Sequence, residues 1–341
     1  MPFTKFSNLD FDQIKTSIKD YLRSNSDFSD FDFEGSNFSV LIDTLAYNTY
    51  ITAVNSNLVV NESFLDSATV RENVVSLARN IGYVPRSKTA AKATISINKI
   101  ESTDTSQPSS VTLKAGLVCI GVGNNVTYTF SIPEDITTTT TIVFDGDNPI
   151  GYKANFDSIE VLQGTFLRKT FTVDGSLDQR FILDNPSIDT STIIVYVKDK
   201  LDDADKGILF TKVDNILNIK PSSTTFLLQE VQDERYELLF GDGIFGKKLE
   251  NGKIIDISYI VTDGKDGNGP SSFSFAGTIE TSNGSTASLS STPEITVTSG
   301  ASNGGDIESV DSIKYFAPRL YSSQYRAVTA RDYEAIIQQI Y

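Results

Sequence analysis

The sequence predicts an α+β protein: an N-terminal helical segment, a central antiparallel β-rich region, and C-terminal helices after a Gly/Ser linker. Three observations support this fold class. Apolar residues recur at helical spacing before residue 85 and again after residue 306. Between these regions apolar and polar residues alternate, as in half-buried strands. Turn-forming residues separate the alternating runs about every ten positions, which is typical of antiparallel β structure.

Three helices are expected in the first ninety residues. The first carries Phe11, Ile14 and Ile18 on one face, and the second spans Ser36–Val60. The third is expected from Asp66, a good N-cap, to Ile81, with Gly82 as its stop signal. We expect four side chains to bury helix against helix or against a neighbouring chain, with Phe38 beside them: Leu41, Leu45, Val74 and Leu77.

The period of the apolar pattern changes to two near Ala93. The strands expected from there to residue 261 share β-branched and aromatic residues bounded by turn clusters. They are Thr94–Ile100, Val111–Leu113, Leu117–Ile120, Tyr128–Ser131, Thr138–Phe144, Ser158–Gln163, Arg168–Val173, Arg180–Leu183, Thr192–Val197, Thr224–Gln229, Tyr236–Phe240 and Lys253–Val261.

The stretch 240–269 contains three turn signals and is expected to form a β-hairpin with a glycine-rich exit. Gly241-Asp242-Gly243, Asn251-Gly252 and Asp263-Gly264 supply residues that tolerate positive φ angles. The spacing of Gly241, Gly243 and Gly246, with Asp263 about twenty residues on, also fits a dinucleotide-binding fingerprint. That mechanism requires a helix after the third glycine. The turn at Asn251-Gly252 leaves room for about one helical turn, so the hairpin interpretation is preferred.

Residues 270–341 are predicted to form short β-strands, a linker and helices. The β pieces are Phe273–Ile279 and Glu294–Thr298, and Ser299–Gly305 is a linker by composition. A helix over Asp306–Leu320 is expected to break at Pro318. A last helix over Ala330–Ile340 is expected, with Thr329 and Asp332 forming a capping box. Its apolar face includes three residues that we assign to assembly: Tyr333, Ile336 and Ile337.

Four parts follow: a helical assembly region over residues 1–90, a β-rich domain with the hairpin over 91–270, a Ser/Thr/Gly-rich β segment and linker over 271–305, and the start of a C-terminal helical region over 306–341. The chain stops at Tyr341 with the last apolar face barely begun. We therefore expect the natural protein to continue, or this helix to dock on another chain.

Composition excludes several function classes. The chain has 341 residues, a formal net charge of −15, no histidine and one cysteine. Without histidine, the Ser-His-Asp arrangement and the commonest metal ligand are absent. The acidic balance argues against binding to a phosphate backbone, and no apolar run reaches the length of a membrane-spanning helix. We expect no catalytic site, cofactor, metal, nucleic-acid partner or membrane span.

Acidic residues at turns leave weaker alternatives. Asp263–Gly269 and Asp203–Gly207 lack the ligand pattern of an EF-hand loop, so turn chemistry explains them better. Asp202-Asp203 and Asp233-Glu234 could flank a glycosidic bond, which keeps a carboxylate-based glycan hydrolase as the alternative function. A third option is a host-surface binding module in the Ser/Thr-rich stretch 270–298. Cys119 lies in an apolar run and is expected to be a buried thiol.

Two motif blocks resemble a known family. The first is FGDGIFGKKLENGKIIDISYIVTDGKDGNG, and the second is GGDIESVDSIKYFAPRLYSSQYRAVTARDYEAII. Their pairing resembles the baseplate J-like family of contractile injection systems. The N-terminal stretches DFDFEGSNFSVLIDTLAYNTY and NESFLDSATVRENVVSLARNIGYVPRSKTAA are similar to the baseplate wedge subunits of T-even-like tailed phages. Three polar positions match the motifs: Glu308, Arg326 and Asp332.

The resemblance implies a structural role in the tail baseplate of a virion, and this baseplate is assembled in the host cytoplasm. It implies a subunit that pairs within each wedge and joins the wedges into a ring around the tail hub. That ring rearranges when the sheath contracts. The N-terminal helices would bundle with other wedge proteins, and the sheath initiator and tail hub are further candidate partners.

Overall fold

A computed structural model describes residues 10–24, 37–123, 125–176, 179–200, 206–213, 219–324 and 326–340. Phe28, Phe31, Phe33, the Asp202-Asp203 pair and Tyr341, which the sequence singled out, lie outside the described residues. The described chain groups into two compact units. The first, which we call the helical unit, comprises residues 1–83 and 310–341, and the second, the β unit, comprises residues 84–309. The predicted four-part division stays a prediction.

The fold class is confirmed, with helices at both ends of the described chain and strands between them. The helices are α1 (Phe11–Arg23), α2 (Asn37–Glu62), α3 (Arg71–Asn80), α4 (Val310–Ser323) and α5 (Ala330–Ile340).

Helix α3 starts four residues later than predicted. Its N-cap is Val70, and Asp66 lies in the preceding turns. The predicted stop at Gly82 is confirmed, because Gly82 has a φ of 81° and its N–H donates to the Arg79 carbonyl oxygen. The Tyr83 N–H donates to the Ala78 carbonyl oxygen, which completes a Schellman motif.

Helix α4 continues through Pro318, where a break was predicted. A proline removes one backbone donor from a helix, and it is usually destabilising inside one. Here Ile313, Ala317 and Leu320 are buried on one side of α4, in the same cluster as Val74 of α3. This burial holds the helix together across the proline.

The strands of the β unit fall in the order that the sequence suggests, with one strand, β11, missed and two predictions each split in two. They are β1 (Lys92–Ser102), β2 (Ser110–Leu113), β3 (Gly116–Gly123), β4 (Val126–Ile132), β5 (Ile136–Thr139), β6 (Thr141–Asp145), β7 (Asn148–Gln163), β8 (Thr165–Thr172), β9 (Phe181–Leu183), β10 (Ile188–Lys198), β11 (Ile208–Lys212), β12 (Thr225–Glu230), β13 (Tyr236–Phe240), β14 (Ile254–Val261), β15 (Phe273–Phe275), β16 (Ile279–Thr281) and β17 (Glu294–Ser302).

The first sheet has seven strands in the order β15-β3-β4-β7-β1-β17, with β6 added to β7. Its two end strands, β15 and β17, also contact each other, so the sheet curves around its core. The core is built from the alternating buried positions of β1 and its neighbours, such as Ile95, Ile97 and Phe130. A separate three-stranded sheet, β16-β2-β5, contributes Val111, Leu113 and Ile279 to the same core.

The second sheet has the order β8-β14-β10-β11-β12-β13-β9. All its described pairs are antiparallel except a short parallel contact between β11 and β12. Side chains join its end strands, since Phe171 of β8 packs edge-on against Phe181 of β9 with ring centroids 5.6 Å apart. The core inside this sheet includes Val195, Phe226 and Ile257.

Two local predictions are wrong. Strands β13 and β14 do not pair with each other, so the stretch around Gly241 is a loop between separated strands and not a β-hairpin. Residues 299–302 belong to β17 and therefore are not a linker. In both cases the pairing partner lies far away in sequence, where local turn signals carry no information.

Candidate assembly surfaces

Helix α2 is apolar on two sides, and among the residues that the structure describes only one of these sides is covered. Its buried side includes Ile42 and Ala46, with the small polar residue Ser39 in the same row. Helix α1 packs against α2, and Lys15 of α1 pairs with Asp43 of α2 at 2.5 Å. A helix that is apolar on more than one side is typical of one buried within a larger assembly.

The uncovered side of α2 carries an apolar stripe at heptad spacing. We call this set the α2 stripe: Val40, Tyr47, Ile51, Val54 and Leu58. From Tyr47 to Leu58 its members are four, three and four residues apart, the spacing of a coiled-coil seam. Four of the five side chains are exposed, and Tyr47 is 60% exposed. The stripe thus presents a seam for another helix.

The helix-face residues expected from sequence fall into two groups. Val74 is fully buried and Leu77 packs against the same cluster between α3 and α4. Leu41 and Leu45 are exposed by 58% and 59%, and Phe38 is half-buried. The burial of Leu41 and Leu45 in an assembly therefore stays a prediction.

Glu62, the last residue of α2, caps the start of α3. Its carboxylate accepts hydrogen bonds from the Thr69 N–H and hydroxyl at 2.8 and 2.7 Å. It also accepts one from the Asn73 side-chain amide at 2.8 Å. The sequence assigned this role to Asp66, three residues before Thr69. Burial raises the pKa of Glu62, but the hydrogen bonds from Asn73, Thr69 and Val70 outweigh it and lower that pKa to about 2.

We expect Glu62→Gln to remove a pH-dependent part of the stability of the helical unit. Because the folded pKa of about 2 lies below the ordinary 4.5, this contribution is complete above pH 4.5 and is lost as the pH falls through 2. Allowing for partial exposure, the loss is about 1 kcal/mol at pH 7. Urea unfolding of wild type and variant at pH 7, 4 and 2.5 measures it. An Asp66→Asn control should show no such difference, and equal losses for both variants would contradict the assignment of the cap to Glu62.

Helix α5 begins with the predicted capping box. The Thr329 N–H donates to the Asp332 carboxylate at 2.8 Å, and the Asp332 N–H donates to the Thr329 hydroxyl at 3.3 Å. Bonding from the Thr329 backbone lowers the pKa of Asp332. Tyr333 and Ile337 are more than half exposed, whereas Ile336 packs on the core of the helical unit. Helix α5 thus carries exposed apolar surface next to Ile336, which is partly buried against that core.

The loop at Gly241 is a tight structure organised by one aspartate. The Asp242 carboxylate accepts hydrogen bonds from the N–H groups of Phe245 and Ile244, each at 2.8 Å, and these bonds lower its pKa. Gly243 has a φ of 95°, and a Cβ atom at Gly241 would overlap the backbone of Gly246. The loop holds Ile244 and Phe245 outward, 67% and 53% exposed. We call residues 241–250 the GDG loop.

The Asn251-Gly252 pair forms the predicted turn before β14. Gly252 has a φ of 84°, while Asn251 has an ordinary negative φ. The Lys253 N–H closes the turn onto the Glu250 carbonyl oxygen, and the Gly252 N–H donates to the Val173 carbonyl oxygen. The glycine is needed here because the third turn residue has positive φ.

The glycine-rich segments of the two motif blocks cross each other in the β unit. A Cβ atom at Gly304 would overlap the Gly264 carbonyl oxygen. Asn268 joins the two segments, because its side-chain amide donates to the Gly304 carbonyl oxygen and its amide oxygen accepts from the Gly304 N–H. We call this contact the glycine crossing. It brings the two motif blocks, which are far apart in sequence, into direct contact.

Two of the three motif-matched polar residues have defined partners. Glu308 is 3% exposed, and its carboxylate accepts a hydrogen bond from the Arg86 N–H at 3.0 Å. Asp332 caps α5, as described above. Arg326 is exposed, and its backbone N–H donates to the Ser323 carbonyl oxygen.

Several residues that hold these loops and helices in place could not be identified from sequence patterns. Gln163 at the end of β7 accepts hydrogen bonds from Thr262 and Asp263 and donates one to the Asp263 carboxylate. Asn268 and Glu62 act in the same way, each through a partner that is set by the tertiary fold. A turn-rich sequence around Asn268 was visible, but no sequence signal pointed to its partner.

The described residues give no structural support to the alternatives of dinucleotide binding, carboxylate-based hydrolysis or metal binding. No helix starts at Gly246, which the dinucleotide interpretation requires. Asp233 and Glu234 are neighbours in one turn, and Asp233 pairs with Arg235 at 2.6 Å. Within the described ranges no cluster of three or more potential metal ligands occurs. No helix in the described part of the chain meets the length and hydropathy expected of a membrane span.

The single cysteine is expected to be unreactive in the folded protein. Cys119 is fully buried in the first sheet, and burial raises the pKa of its thiol to about 12. Since the thiolate is the reactive form, a thiol reagent should label the native chain at least a hundredfold more slowly than the chain in 6 M guanidinium chloride. Mass spectrometry of timed samples measures this ratio. Fast labelling of the native protein would show that the first sheet opens locally.

Comparison with known proteins supports the resemblance that the sequence motifs indicate. Residues 10–83 match a family model described as the helical domain of baseplate wedge protein gp6-like proteins. The chain is 29% identical over 348 residues to the baseplate wedge protein gp6 of Enterobacteria phage T4. The resemblance to baseplate wedge subunits is confirmed. This alignment covers 96% of the chain but 49% of the relative, so the chain spans about half the length of the wedge protein it matches.

The family match at residues 10–83 contains the α2 stripe and the Glu62 cap. The GDG loop, the glycine crossing and helix α5 lie outside that match.

Proposed function

We propose that this chain is a structural component of a phage tail baseplate wedge and acts in the virion. The observation that carries the proposal is the α2 stripe, an exposed coiled-coil seam inside the segment that matches the wedge helical domain. Exposed apolar stripes of this kind mark interaction sites, because burying them on association is favourable. The similarity to a wedge protein over nearly the whole chain supports the same function.

The finer parts of the proposal concern partners. The N-terminal helices bundle with other wedge proteins through the α2 stripe. Copies of the chain pair within a wedge and join into a ring around the tail hub, where helix α5 offers Tyr333 and Ile337 as contacts. The function needs no chemistry from the protein, so we propose that it is not an enzyme.

Charge placed on the α2 stripe tests the proposal. Tyr47→Glu combined with Ile51→Glu should abolish co-purification with the other wedge proteins, because two carboxylates would be buried in an apolar seam. The matched control is Asn48→Glu with Thr52→Glu, which adds the same charge to exposed polar positions of the same helix. Light scattering gives the mass of each mixture, and circular dichroism checks that the helices remain.

Unchanged complex formation by the stripe variant would overturn the proposed role of the stripe. Loss of binding in both variants would show a general charge effect and not a specific seam.

A further inference from the structure

Four Asn-Gly dipeptides occur in the sequence, and all four lie in described parts of the β unit. They are Asn251-Gly252, Asn268-Gly269, Asn283-Gly284 and Asn303-Gly304. Asparagine before glycine is prone to lose its side-chain amide, because the glycine backbone nitrogen can attack the side-chain carbonyl carbon and glycine has no Cβ atom to obstruct it. The attack requires that the glycine N–H leaves its hydrogen bond and that the asparagine side chain turns towards it. The hydrogen bonds of each pair therefore decide which asparagine reacts.

Two of the glycine N–H groups donate to segments that lie far away in the sequence. The Gly252 N–H donates to the Val173 carbonyl oxygen at 2.8 Å, and the Gly269 N–H donates to the Ala301 carbonyl oxygen at 2.9 Å. Releasing either N–H requires that two parts of the β unit separate, which is rarer than a fluctuation within one exposed turn. These two glycine nitrogens are therefore seldom available for attack.

The glycine crossing protects two of the asparagines. The Gly304 N–H donates to the Asn268 amide oxygen at 2.8 Å, so its nitrogen is not available to attack Asn303. The Asn268 amide nitrogen donates to the carbonyl oxygens of Lys265 and Gly304, each at 2.9 Å. The side chain that would have to turn towards Gly269 is thus held by three hydrogen bonds.

The Gly284 N–H differs from the other three because it bonds within its own turn. It donates to the carbonyl oxygen of Thr281, three residues earlier, at 2.9 Å. The Thr281 N–H donates in return to the Ser285 carbonyl oxygen. Asn283 and Gly284 are exposed, and none of the described residues forms a hydrogen bond with the Asn283 side chain. A bond within an exposed turn opens more often than a bond between distant segments.

We propose that Asn283 is a site of spontaneous covalent modification, at which the chain loses an amide and gains a carboxylate. The Gly284 nitrogen forms a bond to the Asn283 side-chain carbonyl carbon, and the side-chain nitrogen leaves as ammonia with the proton that the Gly284 nitrogen gives up. The result is a cyclic imide. Water then adds to either carbonyl carbon of the imide and opens the ring, which leaves aspartate or isoaspartate. The sequence of steps is a hydrolysis and needs no oxidant or reductant.

Either product adds a negative charge to an exposed turn. Isoaspartate also lengthens the backbone between Glu280 and Thr286, which form a β-bridge with each other. The α2 stripe and helix α5 belong to the helical unit, so this reaction is independent of the proposed assembly function.

Timed incubation of the full chain at pH 8, followed by peptide mapping with mass spectrometry, measures conversion at every asparagine in one sample. We expect Asn283 of the folded chain to convert about tenfold faster, or more, than Asn251, Asn268 or Asn303, because these three need additional hydrogen bonds to open. In concentrated urea the four rates should become similar, since the folded contacts are gone.

Asn148 is an internal control, because it is exposed but precedes Pro149, which has no N–H to lose. It should stay intact in both states. The variant Asn283→Gln should remove the fast conversion and leave the other three rates unchanged, which assigns the signal to this position.

Dominant conversion at Asn283 in the folded chain supports the proposal. Conversion of Asn251, Asn268 or Asn303 at the same rate as Asn283 in the folded chain overturns it. An intact Asn283 in the folded chain, over a time in which urea-treated chain converts at all four positions, overturns it as well.

Discussion

Gly304→Ala is expected to destabilise the β unit by about 3 kcal/mol or more. An added methyl group would overlap the Gly264 carbonyl oxygen and lie 3.0 Å from the Cβ atom of Ala91. The first neighbour is a backbone atom and the second belongs to the buried residue Ala91. Neither can move aside without disturbing the glycine crossing. The hydrogen bonds between Asn268 and Gly304 would be strained at the same time.

The next residue provides the control. A methyl group at Gly305 would meet nothing within 4 Å, so Gly305→Ala should leave stability within about 0.5 kcal/mol of the wild type. Urea unfolding followed by circular dichroism and tyrosine fluorescence measures both variants, since the chain has no tryptophan. Similar stabilities for the two alanine variants would contradict the close contact at Gly304.

The second large effect is expected in the helical unit. Leu320 of α4 is 2% exposed and belongs to the same cluster as Val74 and Ala78 of α3. Leu320→Ala should lower the free energy of unfolding by about 2–5 kcal/mol, through lost apolar burial and the cavity left behind. The effect would show that residues near the end of the chain stabilise helices near its start.

Tyr321 is the matched control, because it is adjacent in sequence and 64% exposed. Tyr321→Ala should change stability by less than about 0.5 kcal/mol. Because the chain divides into two compact units, hydrogen exchange with mass spectrometry should follow each one. Loss of protection in α3 and α4 is expected in Leu320→Ala alone. An equal loss in both variants would show that burial at Leu320 does not decide the stability of the unit.

Sequence predicted best where the determining contacts are local. The capping box of α5 needs two residues three positions apart, and the stop of α3 needs one glycine after the helix. Both were predicted and both are confirmed. Most strands were also located, because alternation over five or more residues reports a sheet that is buried on one face.

The errors concern pairing across long distances in the chain. Tyr236–Phe240 and Ile254–Val261 are strands as predicted, but each pairs with other partners. A turn signal shows that the backbone bends and cannot show which strand lies next to it. Similarly, Ser299–Ser302 has the composition of a linker, yet it pairs with β1.

The assembly surfaces were predicted in part. Leu41 and Leu45 were predicted from their spacing, and the structure places them on an exposed side of α2 that differs from the side of the α2 stripe. Spacing alone could not separate the side of α2 that is already covered from the side that is open, because both sides are apolar. Burial in the folded chain supplies that distinction.

The curvature of the two seven-stranded sheets limits how molecules can adhere to one another. In each sheet the first and last strands meet, through strand contact in one and through Phe171 and Phe181 in the other. Each end strand of these sheets is therefore partly covered by its opposite, and exposed strand edges are where β proteins aggregate. In the assembly of many copies that we propose, this closure favours association through helices and loops, whose side chains can select the correct partner.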